Sequence, residues 1–262
     1  MVLRQGALTV NVDPQGAGIC ATWGGVPAIS HCFPMVPLGN RVQGNAFTYD
    51  GQTHRFTPNT DEPLYLHGDG WLGLWQARAT ETTAHLTFDH PAPAASPHRY
   101  RATMDLALGP ARLTVTLSVT NTGPALPFGL GLHPFFPRHP KTRVTAQAGA
   151  FWTEGPGHLP GSPGPIPGTM TLNGPLPDHG LNNAYQDWCG RARIDQPDLR
   201  IDLSAEPLFA HLMVYAPKGG DQFCLEPMTH LPNALARGLP MAVLDPGESL
   251  SGKVVFDFTQ PE

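Results

Sequence analysis

Long apolar runs are missing from this 262-residue chain. No stretch approaches the roughly 20 apolar residues that a membrane-spanning helix needs. The opening Met1-Val-Leu-Arg-Gln-Gly-Ala-Leu-Thr-Val has no basic region followed by an apolar segment, so the chain reads as cytoplasmic, with no membrane partner. Cysteine is scarce. Cys20, Cys32, Cys189 and Cys224 show no Cys-x-x-Cys spacing, which argues against a zinc ribbon or a thioredoxin-type pair and for free buried thiols. Basic charge is thin as well: 16 Lys and Arg stand against 21 Asp and Glu, a net charge of -5, and they are scattered. A nucleic-acid groove is therefore not expected. None of the 12 histidines forms His-x-x-x-His, and neither a phosphate loop nor a dinucleotide fingerprint occurs, so no metal and no cofactor is expected. What remains is a neutral small-molecule ligand.

Proline and glycine, by contrast, are abundant. Thirty Pro and 29 Gly are more than long helices tolerate, and the apolar segments are short and alternate with period two. The expected architecture is all-β, a single antiparallel domain over residues 1–262, long enough to bury a substantial core. Ala7 to Val12 and Gly18 to Trp23 read as strands separated by turn chemistry. The clearest strand is Arg112-Leu-Thr-Val-Thr-Leu-Ser-Val-Thr120, preceded by Met104, Leu106 and Leu108 in the same alternation. Further strands are expected at Leu212 to Tyr215, Phe223 to Leu225 and Val254 to Phe258. Gly155 to Asp178 is so rich in Pro and Gly that no regular element is expected there.

Two segments have the construction of an acid/base site. In Gly129-Leu-Gly-Leu-His-Pro-Phe-Phe136 an extended chain turns Leu130 and Leu132 to one face and Gly129, Gly131 and His133 to the other. The glycines are expected to leave room for something flat, and Pro134 to end the ladder. In Gln222-Phe-Cys-Leu-Glu-Pro227 the same alternation sets Phe223 and Leu225 against Gln222, Cys224 and Glu226, with the carboxyl closing the strand before a proline. Partial burial there raises a carboxyl pKa toward the working range of a base. Each residue alone has a plainer reading as a packed or surface group. Asn40-Arg41 offers a fork of donors beside an amide, or a solvated loop. His67 precedes Trp71 and Trp75, whose indoles either present a face to a sugar or pack on the core. Asn182-Asn183 either bonds hydroxyls or makes a turn.

Taken together these blocks resemble the aldose 1-epimerases, the galactose mutarotase family, and especially its shorter members. The likeness rests on Asn40-Arg41 with Gly-x-x-Phe after it, Leu66-His67-Gly68, Gly131-Leu-His-Pro-Phe-Phe136 and Phe223-Cys-Leu-Glu-Pro227, in the family's order. Leu181-Asn-Asn-Ala-Tyr185 and Leu244-Asp-Pro-Gly-Glu-Ser249 support it, and it covers essentially the whole chain. The resemblance implies a large antiparallel β-sandwich with a concave sugar-binding face. It implies His133 as general acid and Glu226 as general base, with Asn40, Arg41 and His67 as substrate ligands, and an anomer-interconverting activity that needs no cofactor. Asn182 stands where better-known members have an Asp that holds sugar hydroxyls, which leaves the sugar preference open. A sugar-contacting Gln of the long members is not matched, because the segment after Val214-Tyr215 is shortened.

Three other readings share the same residues. A hexose-6-phosphate 1-epimerase would need a cationic pocket, yet His67 is followed by Gly68-Asp69-Gly70-Trp71, with an acid and no Arg. A carbohydrate-binding protein without catalysis would use the same groove. A glycoside hydrolase would ordinarily need two carboxylates, and Asp69 is a poor partner for Glu226.

Overall fold

The computed structural model describes residues 1–90 and 95–261. Ten strands form one sheet, in the order Val2–Gln5, Leu8–Asp13, Gly18–Trp23, Val26–Met35, Gly131–Pro137, Gln222–Met228, His211–Ala216, Leu181–Gln186, Ala150–Glu154 and Pro160–Gly164. Nine more form a second sheet, whose middle is Arg200–Ala205, Ser249–Thr259, Arg112–Asn121 and Tyr100–Gly109. Neighbouring strands pair antiparallel throughout both. No helix among the described residues is long and apolar enough to cross a membrane.

Alternation decides how the sheets face each other. Leu113, Val115, Leu117 and Val119 are buried, while the hydroxyl residues between them are partly exposed. From the first sheet, Leu130, Leu132, Phe136, Phe223 and Leu225 enter the same core, and Phe136 meets Phe256 of the second sheet with ring centroids 6.3 Å apart. Each such side chain removed from water contributes roughly 1.5–3 kcal/mol. The other face of the ten-stranded sheet carries the polar residues of interest. Its strand Gly131–Pro137 draws the chain together, because it lies between Val26–Met35 and Gln222–Met228.

Several expectations are corrected. Pro134 and Glu226 do not terminate their strands, which run on to Pro137 and Met228. Instead the ladder between them opens from Leu132 to Pro134, flanked by the pairs Gly131 with Met228 and Phe135 with Cys224. Pro134 and Pro227 each withhold an N–H there, and the register carried across the gap sets His133 opposite Glu226. The room beside Gly129 and Gly131 belongs to the protein: a Cβ on Gly129 would strike the His230 ring, and one on Gly131 would come within 2.6 Å of Met35 Cε. Asn182 and Asn183 lie in a strand, not a turn. The Pro/Gly-rich segment contains the strands Pro160–Gly164 and Asn173–Pro175, both at sheet edges, where a missing N–H costs no ladder bond. Of the thiols, Cys32 and Cys224 are free and buried as expected, but Cys20 is half-buried and Cys189 exposed.

Candidate active site

Cross-strand registers lay two rows of side chains over the outer face of the ten-stranded sheet. One runs Phe33, His133, Glu226, Met213, Ala184; the other runs His31, Phe135, Cys224, Tyr215, Asn182. Neighbouring strands lie about 4.8 Å apart, so side chains in one row are in reach of each other. His133 Nε2 is 3.4 Å from Glu226 Oε1. His133 is 7% exposed and Glu226 2%.

The imidazole is hemmed by aromatic rings. Phe33 and Phe135 stack against it with centroids 4.7 and 4.6 Å away and 6.3 Å from each other, and the His67 ring stands edge-on at 5.1 Å. Aromatic faces supply packing but no hydrogen bond to the ring nitrogens. His133 Nδ1 and Glu226 Oε2 are buried without a hydrogen-bond partner among the described residues. An unpartnered buried polar atom costs about 1–3 kcal/mol. Two of them side by side mark a place kept for something other than stability.

Burial also sets the protonation of the pair. Removal from water lowers the His133 pKa to about 3 and raises that of Glu226 well above its usual value, although the Arg41 charge opposes the latter shift. Both shifts favour the uncharged forms of the two groups, a neutral imidazole beside a protonated carboxyl.

Asn40, Arg41 and His67 arrive on two loops laced together. His67 N–H donates to the Asn40 carbonyl (3.0 Å), and Asn40 N–H donates to His67 Nδ1 (3.1 Å). That second bond makes Nδ1 an acceptor and leaves Nε2 to carry the proton. Burial, with His133 and Arg41 nearby, pushes the His67 pKa well down. Both Asn40 (φ 62) and His67 (φ 58) are left-handed, a conformation that non-glycine residues hold at a cost of about 1–3 kcal/mol when the surroundings impose it. Gly68 must be glycine, since at φ 73 a Cβ would collide with the Val36 carbonyl oxygen. Behind the loop, His230 Nε2 accepts from Gly39 N–H at 3.0 Å and its Nδ1–H donates to the Leu231 carbonyl at 2.8 Å. His230 thereby ties the Asn40 loop to the end of the Glu226 strand.

All six residues singled out in the sequence, Asn40, Arg41, His67, His133, Asn182 and Glu226, line one cavity of about 310 Å³. That is the lower end of the size of small-molecule sites. The cavity also has walls that sequence reasoning missed: Glu62, His158, Met213 and Tyr215. Glu62 matters most. Arg41 Nε donates to its Oε2 at 2.9 Å and Nη2 to its Oε1 at 2.8 Å, so the guanidinium fork is closed onto a carboxylate. Asn182 is held likewise, its Nδ2 donating to Glu154 Oε1 at 2.6 Å, with His158 Nδ1 on the same oxygen at 2.6 Å. A local signal existed for neither pairing, because each partner comes from a loop or a distant strand. Asp69 stays outside the cavity, bonded by Tyr65 Oη at 2.6 Å and His90 Nε2 at 3.0 Å. Trp75 is buried in the core, whereas Trp71 stacks on Phe33 at 5.2 Å.

Ligand atoms of His133, Cys224 and Glu226 lie within 4.8 Å of one another, the one such group among the described residues. Burial and the neighbouring Glu226 push the Cys224 thiol strongly upward.

Comparison with known proteins agrees with this arrangement. The aldose 1-epimerase family model matches residues 2–257. The chain belongs to the aldose 1-epimerase family. It is 36% identical to YphB, an uncharacterized protein of Escherichia coli K12, over 96% of each chain. A crystal structure from Escherichia coli K12, provisionally assigned as an aldose 1-epimerase, superposes with a TM-score of 0.93 at 35% identity, covering 99% of this chain and 98% of that one. The galactose 1-epimerase of Lactobacillus acidophilus shares the fold at 15% identity, with a TM-score of 0.82 and coverage of 99% and 93%. The all-β expectation and the mutarotase-like sandwich therefore hold for this family member.

Proposed function

We propose that the protein is an aldose 1-epimerase that interconverts the α and β anomers of a neutral hexose, acting as a single domain without metal or cofactor. One observation carries the reading. Five separate stretches of chain set six polar residues around one cavity, at whose base a buried imidazole and carboxyl face each other with unpartnered atoms.

The chemistry needs two opposed proton transfers. The O1 hydroxyl gives its proton to the Glu226 carboxylate, an electron pair from O1 forms the C1=O bond, and the C1–O5 bond breaks. Ring oxygen O5 takes the proton of the His133 imidazolium. Rotation of the freed aldehyde about C1–C2 and reclosure by the reverse transfers give the other anomer. Opening thus ends with Glu226 protonated and His133 neutral, the distribution that burial favours in the unliganded cavity. Ring-closed substrate requires the proton on His133 first, and the 3.4 Å separation lets it cross. Arg41, which stabilises the carboxylate, assists that transfer. His67, with its proton on Nε2, donates to a sugar oxygen, and Asn40 and Asn182 hold hydroxyls.

The choice of a neutral hexose over a hexose 6-phosphate follows from charge. Arg41 is the single cation among the residues lining the cavity, and Glu62 already occupies its fork. A phosphate placed there would meet two carboxyl groups and no free guanidinium. The same saturation weighs against a glycoside hydrolase, because both Glu62 oxygens are engaged. The test is a panel of freshly dissolved pure anomers of glucose, galactose and glucose 6-phosphate, followed by polarimetry or NMR with and without protein. Acceleration of a free hexose is expected. Binding without acceleration identifies a carbohydrate-binding protein, and acceleration of the phosphate alone overturns the neutral-substrate reading.

A further inference from the structure

Three metal-ligating side chains meet at the base of the cavity. A ring nitrogen of His133, Sγ of Cys224 and a carboxylate oxygen of Glu226 lie within 4.8 Å of one another, and all three residues are buried. Strand geometry brings them there. Cys224 and Glu226 stand two apart on Gln222–Met228 and so share its outer face, while His133 comes from the adjacent Gly131–Pro137.

The spacing suits a small tetrahedral ion. Zinc holds nitrogen and oxygen ligands at about 2.0–2.1 Å, which places two of them roughly 3.4 Å apart, and His133 Nε2 lies 3.4 Å from Glu226 Oε1. A thiolate about 2.3 Å from the same ion sits roughly 3.6 Å from each of those atoms, so Cys224 completes the set with a shift of about 1 Å. Charge balances as well: Zn²⁺ with one thiolate, one carboxylate and a neutral imidazole is electrically neutral, the arrangement that burial penalises least. Arg41 in the cavity wall is matched by Glu62 and adds no net charge. His67 does not join the ligands, because its Nδ1 accepts from Asn40 N–H and its Nε2 keeps the proton, which leaves the fourth position to the cavity.

A second observation points the same way. The His133 and Glu226 side chains are more than nine-tenths buried, yet His133 Nδ1 and Glu226 Oε2 have no hydrogen-bond partner among the described residues. Histidines in permanent metal centres donate their other N–H to a carboxylate or carbonyl. Since His133 Nδ1 lacks one, an ion held here is a reversible occupant and not a resident cofactor.

We propose that His133, Cys224 and Glu226 form a reversible Zn²⁺ site, and that zinc seated there inhibits the protein by occupying its acid/base pair. On binding, the Cys224 thiol and the Glu226 carboxyl give their protons to solvent, the thiolate and carboxylate bond to zinc, and His133 contributes a ring lone pair. Mg²⁺ and Ca²⁺, which take oxygen ligands, are not expected to compete. The inhibition rests on the epimerase reading; the binding does not.

The test begins without sugar. Zn²⁺ is titrated into the protein against a chromophoric chelator, and Co²⁺ is substituted to read a thiolate-to-metal charge-transfer band in the near ultraviolet. One equivalent of Zn²⁺ and that band are expected in the wild type and in Cys189→Ser, which removes the exposed thiol outside the cavity. Loss of even a second-shell partner costs about 10–100-fold, so Cys224→Ala and Glu226→Gln should each weaken Zn²⁺ binding by about hundredfold or more. X-ray absorption of the zinc-loaded wild type should find one sulfur at about 2.3 Å, a reading independent of how well any variant folds. With fresh α-glucose, Zn²⁺ should raise the apparent KM and leave kcat unchanged, and EDTA should reverse it. Cys224→Ala, whose side chain does not line the cavity, should anomerise glucose near the wild-type rate and ignore Zn²⁺ at a concentration that halves the wild-type rate. No zinc binding, no sulfur in the zinc shell, or an affinity that survives Cys224→Ala or falls with Cys189→Ser overturns the site. Zinc bound as described with no sugar accelerated leaves the site standing and overturns the epimerase reading, whereas acceleration indifferent to bound zinc overturns the inhibition.

Discussion

If His133 and Glu226 work by sharing one proton, removing either should cost about as much as removing both. Glu226→Gln keeps the shape of the side chain and takes away its titratable proton. Because burial favours the uncharged carboxyl, the amide is a close substitute in shape and charge, and stability should move by less than about 1 kcal/mol. His133→Asn removes the ring stacked against Phe33 and Phe135, so it should lower stability by about 1–3 kcal/mol and must be assayed well below its unfolding temperature. A positioned acid or base contributes about 10² to 10⁴ in rate, or roughly 3–5 kcal/mol in the barrier. Each single variant should therefore lose that much in kcat and in kcat/KM alike, the signature of an interaction made in the transition state. The double variant should fall within about tenfold of the worse single one, whereas independent contributions would multiply to about 10⁴ or more. Polarimetry of fresh α-glucose or α-galactose, in dilute buffer to hold down the spontaneous reaction and at several protein concentrations, reads these ratios. A Glu226→Gln protein with the wild-type rate, or a double variant that loses the full product, refutes the shared-proton mechanism.

Three further outcomes follow from the same coordinates. The pH profile of kcat/KM should be broad: its acid limb lies toward pH 3, where His133 gains a second proton, and its alkaline limb, where the shared proton is lost, lies above the ordinary carboxylate range. A single rise centred near pH 4.5 would contradict it. Glu62→Gln should loosen Arg41, raise KM for a free hexose by about three- to tenfold, and admit glucose 6-phosphate as a competitive inhibitor; unchanged KM and no inhibition would show the pair to be incidental. Acid should destabilise the fold below about pH 6.5, because buried His98 and His230 have pKa values lowered to about 4, His133 to about 3, and His67 is lowered too. The unfolded chain binds these protons first, so stability is present above the unfolded pKa and is lost as pH falls; Glu226, shifted upward, acts in the opposite sense but is outnumbered. Urea titrations should show a loss of several kcal/mol between pH 6.5 and 4, and a flat dependence there would overturn the argument.

Much of this site was legible in one dimension because its strands obey period two. The alternation from Arg112 to Thr120 matches the observed pattern of buried and half-exposed positions, and the same rule sends His133 and Glu226 to the face opposite Leu132 and Leu225. Residue types at the blocks shared with the family then sufficed to gather six lining residues. Side chains whose role depends on what approaches them were not legible. Gly129 promises open space, but the His230 ring, about a hundred residues away, fills it. Arg41 promises a free fork, but Glu62 on another loop closes it. The prolines at positions 160 and 163 break a helix or an inner strand, yet an edge strand accepts them. His158 lay in a segment whose composition gave no reason to expect a partner.

The strand order has a consequence for synthesis. Gln222–Met228 is inserted between Gly131–Pro137 and His211–Ala216, and Ser249–Thr259 between Arg200–Ala205 and Arg112–Asn121. Both sheets therefore receive an interior strand late. While the ribosome is still making residue 220, the chain already outside carries open edges at the heart of each layer, and the carboxylate that faces His133 has not yet been joined to it. Nascent protein must wait in that half-zipped form, where a chaperone or a misplaced strand from a neighbour competes for the gaps, and the hollow around His133 and Glu226 comes into being only with the closing insertion.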